Sequence, residues 1–288
     1  MTIINVYILF EMTINCKGRL IDLSTPLVMG ILNLTPDSFH DGGLYSGTDD
    51  ILRHTEKMLS EGADIIDIGG MSSKPGSKII AIEEELKRVI GPISEINKHF
   101  PDVILSIDTI HPRVAEEAVA NGVSIVNDIS AGTLDTDMLT TVARLRTPYI
   151  IMHMQGTPET MQAAPAYDNV VAEIIDYLAA RVQACRIAGI NDVIIDPGFG
   201  FGKTNEHNFQ LLKGLSLFKM IGCPILAGLS RKSMITKTLG IKNADALNGT
   251  TVLNTIALLN GANILRVHDV KEAKEAIRLI KEVNSVNL

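Results

Sequence analysis

Eight short apolar runs recur along the chain, and segments with helical periodicity separate them. The runs are residues 27–32, 65–68, 103–107, 124–126, 149–152, 193–195, 225–227 and 264–267. They are rich in β-branched residues and show little polar alternation, which is typical of strands covered on both faces. Strands that alternate with helices predict a parallel sheet with right-handed crossovers.

The segments between the runs each carry one apolar stripe at helical spacing. Examples are Ile82, Leu86, Val89, Ile93 and Ile96; then Val171, Ile174, Leu178, Val182 and Cys185; and last Val270, Ala273, Ile277 and Ile280. Eight strand–helix units in 288 residues predict closure into a single (β/α)8 TIM barrel, an α/β fold. An open doubly wound sheet is the alternative architecture.

Two short strands, residues 13–16 and 19–23, precede the repeats and predict an N-terminal β-hairpin that turns at Lys17-Gly18. We interpret residues 1–12 as a possible extension or mis-annotated start, with translation beginning at Met12, and residues 13–288 as one barrel domain. The first ten residues are apolar but too short to span a bilayer, and they lack the features of a signal peptide.

The composition limits the classes of function. A net charge of −7 argues against a nucleic-acid partner, and 46% hydrophobic with 20% charged residues indicates a globular chain. The three cysteines, Cys16, Cys185 and Cys223, are scattered without a C-x-x-C motif. This spacing argues against a disulfide framework or a zinc site and favours a reducing compartment. We therefore expect a cytoplasmic protein that does not associate with membranes.

The residues that end the predicted strands are mostly polar. In chain order they are Asn33, Gly69, Asp108, Asn127, His153, Asp196, Gly228 with Ser230 just beyond, and His268. A few such residues would serve as ordinary helix caps, but seven of the eight strand ends supply a polar side chain. Because all strand ends of a barrel meet on one face, where the sites of barrel enzymes lie, this pattern predicts a binding pocket.

The segment VIIDPGFGFGK, residues 193–203, shows most clearly how a polar residue ends an apolar strand. Asp196 stops a buried strand, and a loop rich in glycine follows it. The loop lacks the spacing of a nucleotide-binding P-loop and the fingerprint of a dinucleotide site. Taken alone, Asp196 would be interpreted as the N-cap of a helix.

The acidic strand ends suggest the class of ligand. Asp108 and Asp196, with the amide of Asn127 between them, suit a heterocycle rich in N–H donors, such as a pterin or guanine. A carboxylate pair also suits glycoside chemistry, but the chain has no Trp to provide a sugar platform.

Positive charge is concentrated at the last two strands. Ser230, Arg231 and Lys232 follow the seventh strand, while Arg266 and His268 flank the end of the eighth. Barrels often bind phosphate at this position, and the sequence SRKS opens a helix whose N-terminal N–H groups favour anions. The alternative for Arg231 and Arg266 is an ion pair or a strap across the barrel mouth.

Two loops are too long for simple turns, residues 34–47 and 70–77. Both are rich in Gly, Ser and Pro, and are expected to fold over a ligand. Asn33 and Asp37 offer oxygen ligands for Mg²⁺ held against a diphosphate. Asp37 fits a turn residue equally, and His153 fits a buried core histidine.

Seven segments, in this order and spacing, resemble the dihydropteroate synthase family from about Thr13 to the C-terminus. They are MGILNLTPDSFHDGG, SIDT, VNDIS, MHMQGTP, IDPGFGFGKT, GLSRKS and RVHDV. The resemblance implies a pterin-binding TIM barrel that condenses (7,8-dihydropterin-6-yl)methyl diphosphate with 4-aminobenzoate, a step of folate synthesis and the target of sulfonamides. It further implies Mg²⁺ and a homodimer.

The resemblance also implies roles for individual residues. Asp108, Asn127 and Asp196 would hold the pterin, with Lys232 beside its ring and Met152 lining the pocket. Ser73, Arg266 and His268 would hold the diphosphate, Asn33 the Mg²⁺, and Phe201 with Ser230 would contact 4-aminobenzoate. Gly228 and Val267 complete the expected substrate-binding set, Asp37 and Lys74 are loop candidates, and the residues expected to take part in catalysis are Lys232, Asp108 and Asp196.

The second loop departs from the family pattern. The family commonly reads S-T-R-P-G, and this chain has Ser72, Ser73, Lys74, Pro75 and Gly76. Lysine lacks the planar fork of arginine, so we expect weaker binding of 4-aminobenzoate or diphosphate. Two rivals remain, a pterin-binding methyltransferase barrel and a non-catalytic paralogue. The helices predicted at residues 248–260 and 270–283 offer a dimer face, although barrel packing also explains their apolar stripes.

Overall fold

A computed structural model describes residues 12–35 and 47–286. Its centre is an eight-stranded parallel sheet. The strands are β3 (Leu27–Asn33), β4 (Ile65–Gly69), β5 (Ile104–Asp108), β6 (Ile125–Asp128), β7 (Tyr149–Met152), β8 (Val193–Asp196), β9 (Leu226–Ala227) and β10 (Ile264–Val267). Their order in the sheet is β8-β7-β6-β5-β4-β3-β10-β9. A parallel bridge between Ile195 and Ile225 joins the two edges. The predicted (β/α)8 barrel is confirmed, and the open sheet is excluded.

Helices follow the strands and form the outer layer. They are α1 (Thr48–Ser60), α2 (Ile82–His99), α3 (Pro112–Ala120), α4 (Asp137–Leu145), α5 (Val170–Ala188), α6 (Asn205–Lys213), α7 (Ser233–Leu239), α8 (Leu247–Leu259) and α9 (Val270–Ser285). Short 3-10 helices cover Leu215–Ile221 and Asn243–Asp245. Among the described residues, no helix has both the length and the apolarity to cross a bilayer.

The predicted hairpin closes the end of the barrel where the strands begin. Strand β1 (Thr13–Cys16) pairs antiparallel with β2 (Arg19–Asp22), and Leu23 bonds back to Met12. Apolar side chains of the hairpin pack against the first inward-facing layer of the barrel, which consists of Met29, Ile65, Ile104, Ile125, Ile150, Ile194, Leu226 and Ile264. The floor of the barrel is therefore filled by apolar side chains, and any ligand must enter from the other end.

A second, larger cluster fills the space between the strands and the helices. It contains the outward-facing residues of the strands, such as Val28, Leu105 and Val267, together with the buried stripes of the helices. The predicted stripes of α5 and α9 lie in it, with Val170 replacing Val171 as the fully covered residue. In α2 the structure also buries Glu85, which the apolar pattern did not predict.

Candidate functional site

A polar layer lies directly above the apolar floor of the barrel. Side chains of a strand alternate between its faces, so residues two positions beyond the floor layer again point inward. The pairing of neighbouring strands aligns Ile31 with Asp67 and Asp67 with Ser106. In chain order, the residues two positions beyond the floor residue of each strand are Ile31, Asp67, Ser106, Asn127, Met152, Asp196, Gly228 and Arg266, and we call them the polar layer. Strand pairing also aligns Asp108 with Asn127 and Met152 with Asp196, which brings predicted pterin-binding residues of neighbouring strands together.

Arg266 crosses this layer and joins two carboxylates. Its Nε lies 2.6 Å from Oδ2 of Asp67, and its Nη2 lies 2.8 Å from Oδ2 of Asp108. Burial raises the pKa of Asp108 to about 7. The attraction of Arg266 opposes this shift, and the neighbouring carboxylates add to it. Arg266 therefore forms the ion pair that the sequence left as an alternative to phosphate binding, although its remaining N–H groups are available to a ligand.

Asn127 and Asp196 are both buried, and each has one side of its polar group engaged. Asn127 donates from Nδ2 to Asp67 Oδ2 at 3.1 Å. Asp196 accepts the backbone N–H of Gly198 through Oδ1 at 2.7 Å. Burial raises the pKa of Asp196, and the nearby Lys232 opposes the shift. The Asp196 Oδ2 faces Gly228, where a side-chain Cβ would lie 4.0 Å away, so the glycine leaves space above the carboxylate.

Lys232 lies at the N-cap of α7 and reaches the glycine-rich loop after β8. Its ammonium group is 4.5 Å from the centre of the Phe201 ring and donates to the carbonyl of Phe199. Burial lowers the pKa of Lys232 to about 8, and the attraction of Asp196 limits the shift. The structure thus brings Lys232 close to Asp196 on one side and to Phe201 on the other, as the predicted roles require.

Ser230 and His268 form a pair at the ends of β9 and β10. The Ser230 hydroxyl accepts the backbone N–H of His268 at 3.2 Å and lies 2.9 Å from His268 Nδ1. Nδ1 is engaged by the Ser230 hydroxyl in either tautomer of the ring. Burial, with the nearby charge of Arg266, lowers the pKa of His268 to about 4, so the ring is neutral. Arg231 instead makes a two-pronged ion pair with Asp269, with its Nη2 2.7 Å from Oδ1. Arg231 therefore forms the ion pair anticipated as one of its alternative roles.

Two further predicted residues, Met152 and Val267, lie among apolar side chains. Met152 belongs to an apolar cluster that includes Met71 and Ile129, with Phe201 packed against it. The Val267 side chain is fully buried in the cluster between strands and helices, on the opposite face of β10 from Arg266. The expected contact of Val267 with a substrate would therefore be made by its backbone.

The second loop lies at the mouth of the barrel. Arg88 of α2 donates to Gly70 O at 2.8 Å, and the Gly76 N–H bonds to Pro158 O at 2.9 Å. Ser73 is partly exposed and Lys74 is exposed, and within the described chain neither side chain makes a hydrogen bond or ion pair to the barrel residues. Most of the first loop, including Asp37, lies outside the described residues.

His153 has the core role that the sequence allowed as an alternative. Its Nδ1 lies 3.0 Å from the ammonium of Lys203, which also donates to His153 O and Phe201 O. Burial and the charge of Lys203 lower the pKa of His153 to about 3, so the ring is neutral and accepts the bond. Lys203 is itself buried and was not predicted, because its partners are brought together only by the fold.

The residues present suit Mg²⁺ only in combination with a phosphate ligand. Within residues 12–35 and 47–286, no group of three or more acidic, histidine or cysteine side chains could hold a metal alone. Asn33 is the last residue of β3 and pairs with Gly69 at the end of β4. Its Oδ1 lies on the side-chain face of Gly69, 3.6 Å from where a Cβ of that residue would be. One amide oxygen at the mouth fits the usual shell of Mg²⁺, which takes one or two protein oxygens plus substrate phosphates and water.

Comparison with known proteins gives this geometry a family. The family described as pterin binding enzymes matches residues 29–268. The dihydropteroate synthase of Escherichia coli K12 is 44% identical over 272 residues, which cover 94% of this chain and 96% of that protein. The chain belongs to the dihydropteroate synthase family. The resemblance stated from the sequence motifs is confirmed.

Solved structures of the dihydropteroate synthase family share the whole fold. The Yersinia pestis synthase, solved with a sulfonamide drug, superposes with a TM-score of 0.91 at 41% identity and covers 96% of this chain and 100% of its own. The Xanthomonas albilineans synthase, solved in complex with 7,8-dihydropteroate, gives a TM-score of 0.85 at 39% identity with the same coverage. The similarity therefore extends through the barrel and all of its described strands.

Proposed function

We propose that the chain condenses (7,8-dihydropterin-6-yl)methyl diphosphate with 4-aminobenzoate to give 7,8-dihydropteroate and diphosphate. The observation that carries this proposal is the polar layer above the barrel floor. It places buried acceptors beside a group of cations at the open end of the barrel, in a chain of the dihydropteroate synthase family. A ring with many N–H donors and a diphosphate tail matches both parts of the layer.

The acceptors suit the pterin. Asp196 accepts from Gly198 through Oδ1, and its Oδ2 faces the space above Gly228. Asn127 donates to Asp67 through Nδ2, so its Oδ1 points away from Asp67. Asp108 lies on the neighbouring strand, aligned with Asn127. We assign the N–H edge of the pterin to these three side chains, with Lys232 and Met152 beside the ring.

The cations and donors at the mouth suit the diphosphate. Arg266 retains N–H groups beyond its bonds to Asp67 and Asp108. We assign to His268 the tautomer in which Ser230 donates to Nδ1 and Nε2 carries the proton. We assign these groups to the diphosphate oxygens, together with Ser73 of the second loop. Asn33 would hold Mg²⁺ against the same oxygens, and the ion would supply neutralisation of the leaving charge.

The reaction proceeds by departure of the diphosphate before the amine attacks. The bond between the pterin methylene carbon and the diphosphate oxygen breaks, and its electron pair leaves with the diphosphate. The electron-rich dihydropterin stabilises the methylene cation until the 4-aminobenzoate nitrogen forms the new bond and releases a proton. The chain supplies charge neutralisation and alignment, so no nucleophilic side chain is needed. Phe201, with Ser230, positions the arylamine.

We further propose a cytoplasmic homodimer. Helices α8 and α9 expose large apolar side chains to solvent, including Val252 at 50%, Leu259 at 61% and Val283 at 63%. Exposed apolar side chains on two neighbouring helices suit contact with a second copy of the chain. Light scattering on the purified protein tests this, with Val252→Asp as a variant expected to give monomers.

The activity is tested with purified protein, the pterin diphosphate, 4-aminobenzoate and Mg²⁺. We expect mass spectrometry to detect 7,8-dihydropteroate, and EDTA to abolish it. Asp196→Asn keeps the shape of the side chain and removes the carboxylate, so product formation should fall by about a hundredfold or more, as when one partner of a charged hydrogen bond is lost. Pterin binding without product would instead indicate the non-catalytic paralogue.

A further inference from the structure

Asp67 is a buried carboxylate in the site to which no sequence motif assigned a role. We propose that Asp67 is the positioning residue of the pterin pocket, because a single carboxylate oxygen fixes the amide of Asn127 and the guanidinium of Arg266 together. This inference rests on the proposed function, since it concerns how that pocket is oriented for the pterin and its diphosphate.

The two contacts converge on one atom. Asp67 Oδ2 lies 2.6 Å from Arg266 Nε and 3.1 Å from Asn127 Nδ2. The Asp67 side chain is 0% exposed, so water does not replace either bond. Asp67 is therefore the common anchor of one predicted pterin ligand and one predicted diphosphate ligand.

The charge of Asp67 decides which way the Asn127 amide points. An ionised carboxylate only accepts hydrogen bonds, so the NH₂ end of the amide must face it. The carbonyl end of Asn127 is then turned away from Asp67, where it can accept an N–H of the pterin. Without the carboxylate, the amide could rotate and present a donor where the ligand also has a donor.

Arg266 is fixed in the same way. Asp67 on β4 and Asp108 on β5 bind two different nitrogens of its guanidinium, which sets both the plane and the direction of the group. The remaining N–H groups then project in one defined direction. Loss of Asp67 leaves a single anchor, about which the guanidinium can swing, and it leaves more of the arginine charge unbalanced.

Stability of the barrel does not account for this carboxylate. Asp67 Oδ1 is buried and has no hydrogen-bond partner among the described residues, which is an unfavourable state for a buried charged group. A nonpolar residue at this position would continue the apolar run of β4. Such a residue would be expected to stabilise the barrel at least as well, because a buried ion pair often stabilises a fold no better than apolar packing does. The orientation of its two partners is what the carboxylate provides.

The test compares Asp67→Asn and Asp67→Ala with a matched control, Thr147→Val. Thr147 precedes β7 at the end of the barrel where the strands begin, is buried, and its Oγ1 makes no hydrogen bond to any described residue. Steady-state kinetics with each substrate are combined with thermal unfolding and with calorimetric binding of 6-hydroxymethyl-7,8-dihydropterin. The binding measurement needs no turnover, so it separates a failure of this inference from a failure of the proposed reaction.

We expect Asp67→Asn to raise KM for the pterin diphosphate by about tenfold or more and to weaken pterin binding similarly, with a larger effect for Asp67→Ala, since both bonds are then lost. KM for 4-aminobenzoate should change by less than about twofold, and Thr147→Val should match the wild type in both constants. Pterin affinity in Asp67→Asn equal to that of Thr147→Val would overturn the inference. So would a parallel rise in both KM values accompanied by a lowered unfolding temperature, because that pattern indicates a purely structural role.

A double-mutant cycle tests whether Asp67 acts through Asn127. In an Asn127→Ala background there is no amide to orient, so Asp67→Asn should weaken pterin binding by clearly less than it does in the wild type. Fully additive losses would show that Asp67 does not position Asn127 and would overturn that part of the proposal.

Discussion

The ammonium group of Lys232 lies 4.5 Å from the centre of the Phe201 ring, and it donates a hydrogen bond to the carbonyl of Phe199. One cation therefore holds the loop after β8 while it faces Asp196 in the pocket. A cation over an aromatic face contributes stabilisation that increases as water is excluded. This contact links the side of the site proposed for the pterin to the side proposed for 4-aminobenzoate.

Lys232 should give the reaction an alkaline limb. Its pKa is lowered by burial to about 8, from an ordinary value of 10.5, so the folded protein loses this charge at a lower pH than an exposed lysine would. We expect kcat/KM for the pterin diphosphate to fall above about pH 8, approaching about tenfold per pH unit. The guanidinium of a Lys232→Arg variant does not titrate in this range, so its profile should be flat there. A wild-type profile that is flat to about pH 9.5 would contradict this assignment.

Substitution by alanine should weaken pterin binding at Gly228 and lower the stability of the fold at Gly198. A Cβ at Gly228 would meet only Asp196 Oδ2, at 4.0 Å, and would occupy the space assigned to the pterin. Gly228→Ala should therefore leave the unfolding temperature nearly unchanged and weaken pterin binding by about tenfold or more, since the ligand must give up contact with the carboxylate.

At Gly198 the fold itself is affected. A Cβ there would overlap the carbonyl oxygen of His153, and the residue has φ of +72°. Gly198→Ala should destabilise the protein by about 3 kcal/mol or more, because backbone strain and overlap add. Calorimetric unfolding checks both variants. Equal unfolding temperatures for the two would show that the space at Gly228 and the crowding at Gly198 are misassigned.

Lys74 should limit substrate affinity. The second loop carries lysine where the family pattern has arginine, and a lysine cannot make two parallel bonds to a carboxylate or phosphate. We expect Lys74→Arg to lower KM for 4-aminobenzoate or for the pterin diphosphate by about threefold to tenfold. Lys78→Arg, another exposed lysine four positions on, is the control and should change neither constant. Unchanged Michaelis constants in Lys74→Arg would remove the basis for this prediction.

Asn33 should set the requirement for Mg²⁺. It offers an amide oxygen at the barrel mouth, and the described residues provide no cluster that would bind the ion alone. Asn33→Ala should raise the Mg²⁺ concentration for half-maximal rate by about tenfold. Asn121→Ala, at the end of α3 away from the mouth, is the matched control. If titrations with Mg²⁺ coincide for Asn33→Ala and the control, Asn33 is not a ligand.

The strands and their polar ends could be predicted from the sequence because both depend on local patterns. Apolar runs bounded by turn residues give the strands, and closure then places Asp108, Asn127 and Asp196 on one face. The interior layer could not be predicted in the same way. Asp67 lies within the run 65–68, and its partners Asn127 and Arg266 are 60 and 199 residues away in the chain.

The positions of Lys203 and Val267 also depend on the fold rather than on local sequence. Lys203 follows a glycine-rich loop, and its bond to His153 spans 50 residues. Val267 adjoins two site residues in sequence but points to the helices, since neighbouring residues of a strand face opposite sides. Strand register and closure, rather than any local signal, decide which side chains meet across the barrel.

The measurement that tests the central claim most directly is the simultaneous assay of 7,8-dihydropteroate and diphosphate. Purified protein is given the pterin diphosphate and Mg²⁺, with and without 4-aminobenzoate. The proposed reaction predicts equal molar amounts of the two products, both requiring Mg²⁺, and dihydropteroate only when the arylamine is present. If the pterin binds and neither product forms, or if diphosphate is released at the same rate with no dihydropteroate in the presence of 4-aminobenzoate, the chain is not a dihydropteroate synthase.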